Sequence, residues 1–585
     1  MKSKTLALIL LCCAASLGAK VKLPALVGDN MILQQQTEVK LWGTAAPKAE
    51  VRVTPSWNGQ TTTCRADKDG RWLLAVKTPA AGYTPYEITF DDGEKTTLKN
   101  ILIGEVWLAS GQSNMEMPLK GFAGCAASLG AKVKLPALVG DNMILQQQTE
   151  VKLWGTAAPK AEVRVTPSWN GQTTTCRADK DGRWLLAVKT PAAGYTPYEI
   201  TFDDGEKTTL KNILIGEVWL ASGQSNMEMP LKGFAGCCIM NGADDIIASA
   251  ENRGVRMFTV PKHQTYEPQT DCKGSWNISS IETAPDFSAT AYYFATSLSR
   301  ALRIPVGIIC SAYGGATVEG WISRELLENY PDISLNPDSI ERLHPMHRPM
   351  LMYNAMLKPL QNYTIKGFIW YQGESNVGRH ETYAERLADM VQLWRKEWGL
   401  GELPFYFAEI APYAYGGTQQ EKAAYLREAQ FRAQSLIPNS AMISTNDLVE
   451  PYEIYNIHPR NKTKVGQRLS YLALNLTYGL KQIHCFGPQY KSWTTKGSEA
   501  WVSFDHLEMG ICRNYDLRGF EVAGEDRVFH PADKVWLHWQ TNEVVISSEK
   551  VPNPVAVRYC FRDFQVGTMI GGNELPTIPF RTDNW

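Results

Sequence analysis

Residues Cys13 to Cys125 recur residue for residue as Cys125 to Cys237, an offset of 112 positions in a chain of 585. No other feature limits the fold as much. A solenoid repeat drifts and has a period of roughly 20–50 residues; this one is longer and identical. It also starts inside an apolar leader: "CAASLGAK" returns at Cys125 without the leucine-rich run that precedes it at Cys13. A boundary inside a leader is not a domain boundary. The repeat therefore reads as a very recent copying event, or an artefact of assembling the sequence, and not as a functional tandem pair. Only the second copy runs directly on into the rest of the chain.

The leader itself has the form of a secretory signal. Lys2 and Lys4 precede the apolar run Leu6 to Leu11, and Ser16, Gly18 and Ala19 supply small residues for cleavage. The expected location is secreted or periplasmic, with no membrane span. The net charge is −1 and there is no basic stripe, which argues against nucleic acid or an anionic membrane as partner. The cysteines show no CxxC pairs and no nearby histidine set, so no metal site is expected.

Within one copy, short alternating runs such as "EVKLWG", "AEVRVTPSW" and "RWLLAVKT" are separated by turns, including Asp181-Gly182 and Asp204-Gly205. This predicts a small β-sandwich. The apolar run Ile213 to Ser222 then reads as a buried strand. Past Cys237 the pattern changes. Phe287, Ala291, Phe294, Leu298 and Leu302 fall at helical spacing, as do Tyr383, Leu387, Met390, Trp394 and Trp398, with Gly399 placed to end the second helix. "VGIIC", "IKGFIW", "PFYFAEI" and "AMIST" read as strands between helices. That alternation predicts a parallel sheet with helices on both faces. From about Tyr478 onward, runs such as "EVVISSEKV" and "VAVRYCF" are β-like again. The expected organisation is a signal at 1–18, the first copy at 19–125, a sandwich at 126–212, an α/β domain at 213–477 and a C-terminal β region at 478–585.

Polar clusters follow four of these strands: Gly223-Gln224-Ser225-Asn226, "SAYGGATVEGW", "YQGESN" and Asn446-Asp447. In open α/β sheets, sites form outside the carboxyl ends of strands. A serine hydroxyl is a weak nucleophile and needs an adjacent base. The repeated region holds no histidine, whereas His458 stands in "NIHPRNKTKVGQRL" just before a helical pattern.

The strings "GEVWLASGQSNMEMP", "YGGATVEGW", "PMLMYNAMLKPL", "IKGFIWYQGESN", "NDLVEPYEIYNIHPRNKTKVGQRL" and "LPTIPFRTDNW" stand in order from the second copy to the C-terminus. In them the chain resembles the sialate O-acetylesterases of the SGNH hydrolase superfamily. The resemblance implies an SGNH-hydrolase-like parallel sheet flanked by helices, with an N-terminal β-sandwich and a C-terminal β region. It implies a serine esterase that needs no cofactor and acts on an O-acetylated sugar: a sialic acid first, acetylxylan or another polysaccharide second. Ser225 would be the nucleophile and His458 the base, titrating near roughly 6–7. The backbone N–H groups of Ser225 and Gly315, with Gly314 the close alternative, and the side-chain amide of Gln372, with Asn376 second, would bind the oxyanion. Glu374 would hold its loop. Where many SGNH enzymes carry an aspartate three residues before the histidine, this chain has Tyr455, with Asn456 next. A Ser–His dyad is therefore expected, with Asp447 the candidate third member. Trp321 and Tyr371 lie beside the motifs and could stack on a sugar ring. The complete set argues against a carbohydrate-binding surface protein with a dead site. Of the two copied serines, Ser225 and Ser113, continuity with the partners favours Ser225.

Overall fold

In the computed structural model, residues 20–107 and 132–585 are described. They belong to two compact units. The leader and Ser113 lie outside the described residues. No helix among those described is long and apolar enough to cross a membrane.

In the first unit, a five-stranded sheet runs in the order Ile32–Gln34, Lys95–Gly104, Gly82–Asp91, Glu50–Pro55, Thr62–Arg65. A two-stranded ribbon pairs Glu38–Thr44 with Arg71–Lys77. Alternation sets the faces: in Arg71–Lys77, Trp72, Leu74 and Val76 are buried while their neighbours are exposed.

The second unit opens with the same strands from the identical sequence. Here, however, the strand corresponding to Lys95–Gly104 extends to 17 residues, Lys207–Gly223 (β1). Its first half pairs antiparallel with Gly194–Asp203 in the sandwich. Its second half is the central strand of a parallel sheet. That sheet adds Val255–Thr259 (β2), Val306–Ala312 (β3), Gly367–Tyr371 (β4), Phe405–Ala408 (β5) and Ser440–Ile443 (β6), in the order β6-β5-β4-β1-β3-β2. The register is fixed by pairs such as Trp219↔Ile308 and Trp219↔Gly367.

Both faces of the sheet are covered, which is why its strands are continuous apolar runs. Helices Ala289–Leu302 (α1) and Lys462–Leu472 (α4) pack in one core with Trp219, Ala221, Ile308 and Ile369. Helices His380–Trp398 (α2) and Lys422–Leu436 (α3) pack in the other with Val218, Leu220, Phe368 and Trp370. The α2 stripe Tyr383, Leu387, Met390, Trp394 and Trp398 is buried, and Gly399 ends that helix in the left-handed conformation. Strand β2 has no clear sequence signal; Arg253, Arg256 and its short length hide it.

The C-terminal segment forms two four-stranded antiparallel sheets. It is tied to α3 and the loop before it by charged pairs. Arg581 meets Glu428 at 2.8 Å, and Arg558 meets Glu421 at 2.7 Å.

Candidate active site

Strand β1 ends at Gly223, where φ is +141° and an added Cβ would stand 2.1 Å from the Tyr371 carbonyl oxygen. Glycine lets the chain turn there against β4. Gln224 N–H donates to the same carbonyl at 3.0 Å. Ser225 then opens a single helical turn, Ser225–Glu228. From Ile213 to Met227, Ser225 is the one residue that is not buried. As the first residue of the turn it has no intrahelical acceptor for its N–H.

Asn226, fully buried, joins three segments. Its Nδ2 donates to Glu374 Oε1 in the loop after β4 and, at 3.0 Å, to the carbonyl of Ile457, the residue before His458. The His458 loop is further pinned by its own polar groups. His458 N–H donates to Asn456 Oδ1 at 3.0 Å, and Arg460 N–H to Glu453 Oε1 at 3.0 Å. Phe234 meets the imidazole edge to face at 5.3 Å. Burial, with the Lys462 charge adding to it, takes the His458 pKa down to about 4, below the ordinary histidine range expected from sequence. Lys462 is itself buried and lies 5.9 Å over the Tyr371 ring. Its Nζ donates to Pro459 O at 2.6 Å, and burial lowers its pKa to about 7 against the opposing pull of Glu374 and Glu453.

The glycine pair after β3 lines the other side. A Cβ on Gly314 would touch the Ser225 Cβ at 3.5 Å. Gly315 has φ +74°, and a Cβ there would stand 2.3 Å from Met346 Sδ. Gly315 N–H makes no hydrogen bond among the described residues. Gly314 N–H is taken by Glu228 Oε2 at 2.5 Å, which removes the alternative donor.

Five sequence expectations are corrected by these contacts. Gln372 is fully buried with both amide hydrogens used, on Ala316 O at 3.1 Å and Asn376 Oδ1 at 2.7 Å. Asn376 Nδ2 faces the Glu319 carboxylate at 3.2 Å, and its Oδ1 accepts from Val318 N–H at 3.0 Å. The Gln372 amide therefore has no hydrogen to give an oxyanion, and the Asn376 amide is turned towards Glu319. Asp447 places both oxygens on Arg468 of α4, at 2.7 and 2.6 Å, and no hydrogen bond joins it to His458 among the described residues. Trp321 is fully buried, its ring against Trp370 and its carbonyl accepting from Trp394 Nε1 at 3.1 Å. Tyr371 is buried beneath Lys462. Neither ring can meet a sugar.

Sequence reasoning missed Gln224. Its Oε1 accepts from Gly373 N–H at 3.1 Å and Ser375 N–H at 3.3 Å, which fixes the amide beside Ser225. Its Nε2 makes no hydrogen bond among the described residues. Its place next to the serine was the available signal.

A partly exposed serine at the end of a central parallel strand, with a histidine loop strapped to its turn, is the arrangement of a hydrolase. Comparison with known proteins identifies the class as carboxylic ester hydrolase. Residues 215–475 match the family model described as carbohydrate esterase, sialic acid-specific acetylesterase. A carbohydrate acetylesterase from Xanthomonas citri, known by crystal structure, is 32% identical; the alignment covers 78% of this chain and 100% of that one, with a TM-score of 0.68. The sialate O-acetylesterase of Mus musculus is 26% identical over 68% of this chain and 83% of its own length. That of Homo sapiens is 27% identical over 70% and 82%. The chain belongs to the sialate O-acetylesterase family.

Proposed function

We propose that the chain is an exported serine esterase that removes O-acetyl groups from sialic acids through Ser225 and His458. The observation that carries this reading is the isolation of Ser225 as the one residue between Ile213 and Met227 that is not buried, tied through Asn226 to the residue before His458. The neutral His458 takes the Ser225 proton as the hydroxyl attacks the acetyl carbonyl. The sugar alcohol leaves with that proton. Water activated by His458 then releases acetate from the acyl-enzyme. Two backbone N–H groups, of Ser225 and Gly315, face the developing oxyanion, and the Gln224 amide replaces Gln372 as the side-chain donor. One such donor is worth roughly a hundred- to thousandfold in rate.

The pair acts as a dyad, because Asp447 is committed to Arg468 and Tyr455 is largely exposed to solvent. The fold is read as that of an SGNH hydrolase. The leader makes the location secreted or periplasmic. The family's sialate-specific members support a sialic acid as substrate; the Xanthomonas relative, a carbohydrate acetylesterase, keeps acetylxylan as the second reading. Acetate release from a panel of O-acetylated sialosides and acetylated xylo-oligosaccharides separates them. Turnover of the sialosides is expected; turnover of the xylo-oligosaccharides alone would reject the sialate reading.

A further inference from the structure

Beside Gly315, one cation lacks a close carboxylate. Ser375 is the link: its Oγ donates to Gly315 O at 2.8 Å, and its carbonyl accepts from Arg379 Nη2 at 2.8 Å. The Arg379 guanidinium is 43% exposed and its nearest carboxylate oxygen, on Glu319, is 3.7 Å away. Glu319 is already held by Arg386 at 2.7 Å. Among the described residues Arg379 thus makes one hydrogen bond to protein and a longer ion pair to a carboxylate that Arg386 already holds, so its exposed fork can still take a ligand. Two other cations, by contrast, are paired closely. Lys262 meets Glu228 at 2.7 Å and Arg348 meets Glu341 at 2.5 Å. On the facing turn, Met346 covers Gly315. Burial and the Arg379 charge together hold the neighbouring His347 imidazole below its ordinary range.

We infer that Arg379 binds the carboxylate of the sugar acid and so selects sialosides over neutral acetylated sugars. This rests on the esterase reading of Ser225. In a sialic acid the carboxylate and the glycerol side chain flank the ring oxygen. An acetyl ester on that side chain, placed at Ser225, leaves the carboxylate about one sugar ring away from the reacting carbonyl, and Arg379 is joined through Ser375 to the glycine loop beside Ser225. A charge-assisted fork–carboxylate contact there distinguishes an acid from a neutral sugar more sharply than shape does.

The test pairs a change in the enzyme with a change in the substrate. kcat/KM is measured for a side-chain O-acetylated sialoside and for its carboxylate methyl ester, with wild type, Arg379→Gln and Arg379→Lys, each checked by circular dichroism. The wild type should prefer the free acid by roughly tenfold to a hundredfold, mainly through KM. That preference should collapse towards unity in Arg379→Gln and be partly restored in Arg379→Lys. An unchanged preference in Arg379→Gln overturns the assignment alone, as does an equal loss on both substrates. Wild-type protein that turns over neither sialoside overturns the sialate reading as well.

Discussion

In the proposed mechanism His458 is the base, and its surroundings disfavour its charged form. Burial and the neighbouring Lys462 charge both act against protonation, and Phe234 meets the ring edge to face. The ring is therefore ready to accept the Ser225 proton at any pH above its depressed pKa. Because the folded pKa is lowered, the active neutral form is present above about pH 4 and is lost as pH falls through that value. The kcat/KM profile should be level from about pH 6 upward and fall only near pH 4, with circular dichroism showing folded protein at each point. A midpoint near that of an ordinary histidine, roughly 6.5, would show that burial does not set this pKa. Ser225, Gly315 and Gln372 were legible in the sequence as polar-cluster residues after strands, and His458 as the histidine before a helical pattern. Their partners were not, because the Asp447–Arg468 and Gln372–Asn376 pairs are side-chain contacts that spacing does not encode. A motif string names which polar residues gather at a strand end; it does not say which of them are already satisfied by one another.

At the scale of elements, the site is held by helix α4, which starts four residues after His458. Its Gly466 lies against α1 so closely that a Cβ would stand 2.6 Å from Thr290 O and 2.7 Å from Phe294 N. Both are backbone atoms and cannot swing aside. Gly466→Ala should therefore push the helices apart, cost about 1–3 kcal/mol, lower Tm and reduce kcat by shifting the loop that carries His458. Thermal melts and steady-state kinetics check this; a variant with unchanged Tm and kcat would show that the packing yields freely. Helices α1 and α2 were legible from their apolar stripes. So were β3 to β6, as short apolar runs bounded by helices. Strand β2 was not, since Arg256 interrupts an already short run and the signal of continuous burial is lost.

Across the whole molecule, two identical stretches take different surroundings, which sequence alone leaves open. Leu138, Ile144 and Trp154 are 1%, 0% and 7% exposed in the second unit, where Trp154 meets Tyr363 edge to face at 6.3 Å. Their counterparts Leu26, Ile32 and Trp42 are 78%, 49% and 39% exposed in the first. The difference comes from the downstream chain, since β1 runs on from the second sandwich into the central strand of the parallel sheet. The first unit contributes bare apolar surface of the kind that promotes association. Deleting Ala14 to Cys125 should leave turnover intact and reduce binding of a hydrophobic dye; loss of activity in a folded deletion variant would show that the first unit has a part in the site. Which of the two identical serine motifs does the chemistry is decided by one comparison. Acetate release from an O-acetylated sialoside is measured for Ser225→Ala and Ser113→Ala, both in the full chain. Ser225→Ala should release none and Ser113→Ala should match the wild type, whereas equal activity in the two variants, or loss in Ser113→Ala alone, would contradict the assignment.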